Sequence, residues 1–233
     1  MQKKRYRAYT ITAEQSKKLC VGHFETHQKY PYINFLLEHA TGKKNNALDF
    51  GCGPARMMLQ MLSHFEKVDG MDIDSRNLIY ADSYLVANDI NRNRFNLYLG
   101  DGLGVKPLPP ITYDFIYSTI CLQHISVYKI RRQIFVDILN LLTVGGTACI
   151  QVGYGWQGPA GWFENRYDAL STNGGFDASI PDLLTLDKVE EDLLEIGFSK
   201  VQMKIKPSPH PELNNEYHPF WLFIHLENKR VLN

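Results

Sequence analysis

The sequence predicts an α/β fold with one mostly parallel sheet, helices on both faces of the sheet and an antiparallel hairpin at one edge. Apolar strand-like runs alternate with helical segments along most of the chain. A glycine-rich turn follows the first strand, and the last two strand-like segments leave no room for a helix between them. With 233 residues and 44% hydrophobic content, one domain can bury a substantial core.

Seven strands are predicted from short segments that are either apolar throughout or alternate with polar residues. They cover residues 47–50, 67–71, 95–99, 113–119, 147–152, 201–205 and 217–227. The run at 113–119 is mostly apolar, which is typical of a strand buried on both faces. Because no crossover helix fits between the last two strands, we expect them to pair antiparallel.

The helices are predicted from apolar residues at steps of three and four. They cover residues 13–27, 32–40, 57–65 and 75–88, a long segment from 127 that Gly145 and Gly146 stop, and a last segment from 187 that Gly197 ends. Asp187 with Glu190 is expected to cap the last helix. The stretch from 153 to 186 shows no sustained period but is rich in aromatic residues, which favours an ordered lid.

The glycine-rich turn reads Asp-Phe-Gly-Cys-Gly-Pro-Ala-Arg over residues 49–56. Gly51 and Gly53 permit positive φ and let a ligand lie against bare backbone. The helix that follows offers unpaired N–H groups at its start. The turn therefore predicts a site for a nucleotide-like ligand.

Three aspartates end or follow the first three strands. Asp49, Asp72 and Asp101 should all lie at the carboxyl edge of a parallel sheet, the ligand side of open α/β folds. Asp72 follows Gly51 by 21 residues, a spacing that suits binding of ribose hydroxyls and also occurs in nicotinamide-binding folds. Ala55 stands where a further glycine would complete the dinucleotide fingerprint, so that fingerprint is incomplete. A single aspartate at a strand end is usually a turn or helix cap, but three at one edge favour binding.

Together the turn and the three aspartates resemble the class I S-adenosylmethionine (SAM) dependent methyltransferase superfamily, in its small-molecule type, over roughly residues 45–228. The resemblance implies a Rossmann-like seven-stranded sheet and SAM as the cofactor. It divides the chain into an N-terminal arm with substrate-side helices at 1–44 and a methyltransferase domain at 45–233, with a lid insertion at about 153–186.

The resemblance also implies a cofactor site. The loop backbone would contact the amino acid tail, Asp49 its ammonium, Asp72 the ribose, and Asp101 with Gly102 the adenine. The full expected set is Asp49, Gly51, Cys52, Gly53, Pro54, Arg56, Asp72, Ile73, Asp101, Gly102, Ser118 and Gln123.

An acceptor site is expected beside the methyl donor. His124 follows the fourth strand and is the leading candidate for a general base, since imidazole exchanges protons near neutral pH. A structural or cofactor-holding role for His124 stays open, and Gln123 could orient a ligand or have no such role. The expected substrate-binding residues are His27, Tyr30, Tyr154, Trp156, Trp162 and Arg166.

Missing motifs narrow the chemistry. The fourth strand lacks an Asn-Pro-Pro-Tyr type motif for planar amino groups, and Cys121 follows isoleucine rather than proline, as attack on a pyrimidine carbon would need. No acidic cluster for magnesium follows that strand, so we expect no metal. The prediction is methyl transfer to an oxygen or nitrogen of a small molecule, for example a sugar or a biosynthetic intermediate. A protein or RNA methyltransferase and a non-catalytic SAM-fold binding module remain the alternatives.

Composition bears on partners and location. The 25 basic and 25 acidic residues balance, so no global field favours nucleic acid or an anionic membrane. The four cysteines form no C-x-x-C pair, which argues against a metal knuckle or a dense disulfide frame. No signal-like or membrane-spanning stretch is evident, and we expect a cytoplasmic protein. The oligomeric state, including a possible homodimer, is left open.

Overall fold

The computed structural model describes residues 32–106, 111–155, 161–165, 178, 180–207 and 219–229. Within these ranges a seven-stranded sheet is flanked by helices. The strands are β1 Asn46–Phe50, β2 Lys67–Asp72, β3 Leu97–Leu99, β4 Tyr113–Thr119, β5 Leu142–Tyr154, β6 Lys200–Pro207 and β7 Phe220–Glu227. The helices are α1 Ile33–Leu37, α2 Arg56–Met61, α3 Ser75–Ala87, α4 Tyr128–Leu141 and α5 Leu183–Ile196.

The strand order is β3-β2-β1-β4-β5-β7-β6. The first five strands are parallel, whereas β7 pairs antiparallel with both β5 and β6. This confirms the predicted mostly parallel sheet with an antiparallel hairpin at its edge.

The core has two apolar clusters. Leu48, Ile116 and Ile150 belong to one cluster, and their neighbours Ala47 and Phe115 to the other. Successive side chains of a strand point to opposite faces, so neighbouring residues fall into different clusters. The first six residues of β4 are buried, as predicted for a strand covered on both faces.

The end of α4 differs from the prediction. Leu142 is already extended, so β5 begins there and Gly145 and Gly146 lie within the strand instead of ending the helix. The Asn228 side-chain amide stabilises this junction by donating to the carbonyl oxygen of Leu142 at 3.0 Å. Asn228 lies 86 residues away along the chain. Local sequence therefore carried no sign of this contact.

The start of α5 also differs from the prediction. The helix begins at Leu183, and its N-cap is Asp182, whose carboxylate accepts from the Thr185 N–H at 2.7 Å. Asp187, the expected cap, is exposed within the helix. Gly197 ends the helix with φ 113°, as predicted.

Two further elements are shorter than predicted. Helix α2 ends at Met61, and the Arg94 guanidinium donates to the carbonyl oxygens of Leu62 at 2.7 Å and Phe65 at 2.8 Å beyond it. Strand β3 begins at Leu97. In the N-terminal part, α1 covers five residues of the predicted 32–40 helix, and the predicted helix at 13–27 lies outside the described residues.

None of the helices described is both long enough and apolar enough to cross a membrane.

Replacing Asp182 by alanine should destabilise the protein by about 1 kcal/mol, because the N-cap hydrogen bond to Thr185 is lost. The matched control is Asp187→Ala, which should change the free energy of unfolding by less than about 0.5 kcal/mol because Asp187 is exposed and caps nothing. Urea unfolding of both variants measures the difference. A larger loss for Asp187→Ala than for Asp182→Ala would contradict this helix start.

Candidate functional site

A cleft lies at the carboxyl ends of β1, β2 and β4. Its volume is about 150 Å³. The lining residues are Phe50, Gly51, Gly53, Met71, Asp72, Ile73, Asn77, Gly100, Gly104, Ile120, Cys121 and Ile125. The predicted residues Gly51, Gly53, Asp72 and Ile73 are therefore brought together.

The glycine loop between β1 and α2 is in an unusual backbone conformation. Gly51, Gly53 and Ala55 have φ of 81°, 52° and 69°. A Cβ on Gly51 would also lie 2.7 Å from the Cβ of Cys121, so only glycine fits there. At Ala55, where the fingerprint lacked a glycine, alanine adopts the left-handed conformation at a cost of roughly 1 kcal/mol.

Backbone hydrogen bonds fix this loop to β2. The N–H groups of Gly51 and Cys52 both donate to the carbonyl oxygen of Met71, at 2.8 and 3.0 Å. The N–H of Gly53 donates to the Asp72 carboxylate at 3.0 Å. The loop is thus held in place before any ligand binds.

Asp72 is the most highly connected side chain of the cleft. Besides Gly53, its carboxylate accepts from the Asp74 N–H at 2.8 Å and the Asn77 amide at 3.2 Å. Burial raises the pKa of Asp72, and these donors oppose the shift. A carboxylate offers about four acceptor positions, so capacity remains for a ligand hydroxyl.

Asp49 lies in β1, next to the loop. It is 2% exposed, and its Oδ2 has no hydrogen-bond partner among the described residues. Burial raises the pKa of Asp49 to about 8, and the nearby charge of Asp72 adds to the shift. A buried carboxyl beside a glycine loop fits a cationic ligand group such as an ammonium. Asp49 does not line the cleft, so its carboxyl would act on a ligand from within the sheet.

Several predicted cofactor residues support the loop without lining the cleft. The Ser118 hydroxyl donates to the Phe50 carbonyl at 2.7 Å and ties β4 to β1. Cys52 is buried, with its thiol 3.5 Å from the Gly53 carbonyl oxygen. Pro54 and Arg56 lie at the loop end and the start of α2, outside the lining.

Asp101 follows β3 and is exposed. Its carboxylate accepts from the Leu103 N–H at 2.8 Å, which is the turn-capping role usual for a single aspartate. Neither Asp101 nor Gly102 lines the cleft, whereas the flanking Gly100 and Gly104 do. An adenine contact by Asp101 remains a prediction.

His124 ends the 3₁₀ turn Leu122–His124 after β4, and it is half-buried. The turn follows Ile120 and Cys121, which line the cleft, but His124 itself does not line it. Gln123 is buried, its side-chain oxygen accepts from the Gly153 N–H at 2.7 Å, and its backbone carbonyl accepts from the Ala178 N–H at 2.6 Å. Gln123 thus connects the turn after β4 to β5. A catalytic role for His124 stays a prediction.

Sequence reasoning missed eight of the lining residues: Phe50, Met71, Asn77, Gly100, Gly104, Ile120, Cys121 and Ile125. Ile120 has φ 54°, which is rare for a β-branched residue, and its N–H donates to Gln151 Oε1 at 3.0 Å. Strained backbone of this kind is concentrated at functional sites. No sequence signal marks Ile120, but Asn77, in the first turn of the helix after Asp72, could have been found from its position.

Of the expected substrate residues, Tyr154 is half-buried at the end of β5. Trp162 is 2% exposed and packs in the core, where the Arg131 guanidinium lies 4.5 Å from its ring centroid. Arg131 also donates to the carbonyl oxygens of Trp162 and Ile125. Trp162 therefore packs against Arg131, which bonds to the cleft-lining Ile125, and Trp162 itself does not line the cleft. His27, Tyr30, Trp156 and Arg166 lie outside the described residues.

Within the described ranges, no group of three or more His, Cys, Asp or Glu side chains is arranged to hold a metal ion.

Asp49→Asn should remove a pH dependence of stability. Since the folded chain holds the Asp49 proton up to about pH 8 and the unfolded chain releases it near pH 4, the folded state loses stability as pH rises between these values. The slope is at most about 1.4 kcal/mol per pH unit, and the amide variant should lack it. Urea unfolding from pH 4 to 8 measures this, with Asp187→Asn at an exposed position as the control. Identical slopes in Asp49→Asn and the wild type would refute the assignment.

Comparisons with known proteins agree with this geometry. Residues 47–146, from β1 into β5, match the family model described as a methyltransferase domain. No curated protein matches the sequence.

Solved structures share the fold at low identity. The N-methyltransferase NodS from Bradyrhizobium japonicum WM9 has a TM-score of 0.60 and 15% identity, over 89% of this chain and 97% of NodS. Haemonchus contortus phosphoethanolamine N-methyltransferase 2, in complex with phosphomonomethylethanolamine and S-adenosylhomocysteine, has a TM-score of 0.63 and 17% identity, over 86% of this chain and 53% of that protein. The [4+2]-cyclase SpnF has a TM-score of 0.63 and 12% identity, over 84% of this chain and 79% of SpnF.

The glycine loop, the buried carboxyl of Asp49 and the held carboxylate of Asp72 fit SAM as the cofactor. The sequence match over residues 47–146 and the fold both support the resemblance to the class I SAM-dependent methyltransferase superfamily.

Proposed function

We propose that this protein transfers the methyl group of SAM to an oxygen or nitrogen of a small-molecule acceptor, without a metal ion. The observation that carries the proposal is the cleft between the glycine loop and Asp72, at the ligand edge of the sheet. Balanced charge disfavours a polyanionic partner. The names of NodS and of the Haemonchus contortus enzyme as N-methyltransferases also support methyl transfer.

SAM supplies a methyl group made electrophilic by its sulfonium. The chain's part is to bind, orient and exclude water. A Cβ at Gly53 would meet nothing within 4 Å, so the open side of the loop has room for a ligand. Asp72 would accept from ribose hydroxyls, while Met71 and Ile73 give the cleft an apolar wall.

Positioning can account for much of the catalysis. Holding an acceptor in line with the methyl group can lower the barrier by about 7 kcal/mol or more. A hydroxyl or ammonium acceptor must also lose a proton, and His124 would take it as the general base. Its place directly after the cleft-lining turn Ile120–Cys121 supports this role.

Two alternatives keep the fold and change the function. A protein or RNA methyltransferase would share the cofactor site but would bind its macromolecule with a steep salt dependence if RNA were the partner. A non-catalytic module would bind no SAM, or would bind it without transfer. Titration calorimetry with SAM and S-adenosylhomocysteine, followed by an assay for transfer of labelled methyl groups to small hydroxyl and amine compounds, separates the three.

Asp72→Ala should weaken SAM binding by roughly 1–3 kcal/mol, because charge-assisted hydrogen bonds to the ligand are lost. Calorimetry measures the change. The control is Asp82→Asn on α3, which removes a carboxylate that pairs with Arg92 outside the cleft lining and should leave the affinity unchanged. Unchanged affinity in Asp72→Ala would contradict the assignment of the ribose site.

His124→Ala should lower turnover by roughly 10²–10⁴ and leave the affinity for S-adenosylhomocysteine nearly intact, since the base acts on the acceptor. The exposed His64 provides the matched control, His64→Ala, which should change neither quantity. Unaltered turnover in His124→Ala, or a large loss of folding stability, would return His124 to a structural role.

A further inference from the structure

A second cavity lies at the opposite edge of the sheet from the cofactor cleft. We name it the imidazole cavity, and its polar lining includes His39, Thr147, Lys200, His225 and Glu227. Thr147 pairs with Phe115 near the start of β4, so the cavity is at the amino ends of the parallel strands. Its volume is about 100 Å³, enough for roughly three water molecules or one small ion.

Three buried polar atoms of this lining are unsatisfied. His39 Nε2, Thr147 Oγ1 and His225 Nδ1 have no hydrogen-bond partner among the described residues. His225 is 3% exposed and Thr147 is 6% exposed. Folded proteins seldom leave several buried polar atoms unpaired at one place, and such a group calls for a water, an ion or a ligand.

The unsatisfied atoms of the cavity lining can act as hydrogen-bond donors. Cys149 Sγ lies 3.9 Å from His225 Nε2, and burial raises the pKa of the Cys149 thiol well above its usual range. The thiol therefore keeps its proton, and if it donates to Nε2 the ring hydrogen stands on Nδ1. Thr147 can also donate from its hydroxyl. Donors suit an anion, whereas a metal ion needs free lone pairs.

The charges around the cavity also favour an anion. Lys204 pairs with Glu38 at 3.5 Å and Glu227 pairs with Lys229 at 3.6 Å, so both carboxylates are neutralised. Lys200 makes no ion pair with any described residue and leaves a positive excess. Burial and then the charge of Lys204 lower the pKa of His39, and burial lowers the pKa of His225 to about 3, with His39 and Lys204 adding to the shift.

We propose that the imidazole cavity binds one small tetrahedral oxyanion, a sulfate or phosphate group, with His39, Thr147 and His225 as hydrogen-bond donors and Lys200 as the nearby charge. The His39 and His225 rings lie with their centroids 3.7 Å apart and their planes tilted by 38°, and they join the segment after α1 to β7. The bound anion would bridge both rings and fasten this N-terminal segment to the sheet edge.

Sulfate is the first probe, because it does not titrate near neutral pH. NMR of the imidazole C2–H resonances, followed during addition of sodium sulfate against sodium chloride of equal ionic strength, should show saturable shifts of two histidines. Thr147→Val, which keeps the side-chain shape, should weaken sulfate binding by about tenfold, because one hydrogen bond to a charged ligand is lost. Thr143→Val, on the same strand but outside the lining, should bind sulfate like the wild type.

The pH dependence has a defined sign. Burial keeps both imidazoles neutral near pH 7, and a bound anion favours their charged forms, so sulfate affinity should rise as the pH falls below about 6.5, the ordinary pKa of imidazole. The groups that face the rings and take part are Glu38, Cys149, Lys200, Lys204 and Glu227. Lys200→Met, at an exposed position, should lower the affinity without disturbing the fold.

Two further probes identify the source of the anion. Inorganic phosphate binding at least as tightly as glycerol phosphate would assign the site to the free ion, and tighter binding of glycerol phosphate would assign it to a phosphorylated molecule. Shifts that do not saturate, or that are the same in Thr147→Val and the wild type, would overturn the proposal and leave a cavity filled by water. Calorimetry with S-adenosylhomocysteine checks that the cofactor cleft is unchanged in these variants.

Discussion

The carboxylate of Asp72 joins three separate parts of the cleft: the glycine loop through Gly53, the turn after β2 through Asp74, and α3 through Asn77. Parallel pairing of β1 with β2 brings these parts together, since Phe50 lies opposite Met71 at the strand ends. The same carboxylate thus organises the loop and faces the ligand. The sheet fixes the position of the Asp72 carboxylate, and that carboxylate in turn fixes the glycine loop.

Periodicity and spacing predicted the sheet, because a strand buried on both faces and a short connection each leave a recognisable pattern within a few consecutive residues. They did not predict the contacts between distant segments. Asn228 closes the junction of α4 and β5 from far along the chain, and the helix cap is Asp182 in place of the expected Asp187. In the cleft, Gly51 and Asp72 could be predicted from sequence motifs. Ile120 lines the cleft because of a strained turn, and no motif or periodicity in the sequence indicates that turn.

Two buried ionisable groups flank the site without an ion-pair partner of opposite charge in the described part of the chain. Asp49 is buried beside the loop, and Arg131 is buried behind Ile125, where burial lowers its pKa to about 9. Arg131 donates to the carbonyl oxygens of Ile125 and Trp162 and lies over the Trp162 ring, so it holds the segment at 161–165 beside Ile125, although its Nε has no partner among the described residues. Asp49 has an oxygen without a partner and is therefore the group that a cationic ligand would stabilise.

Strand β6 is the outer strand of the antiparallel edge, and it carries Lys200, Lys204 and Lys206 on one face. A second molecule that added its own β6 there would bring two rows of ammonium groups into close contact, and their mutual repulsion opposes such growth. Self-association by continuation of the sheet through β6 is thus disfavoured, and a dimer of this protein would have to form through other surfaces.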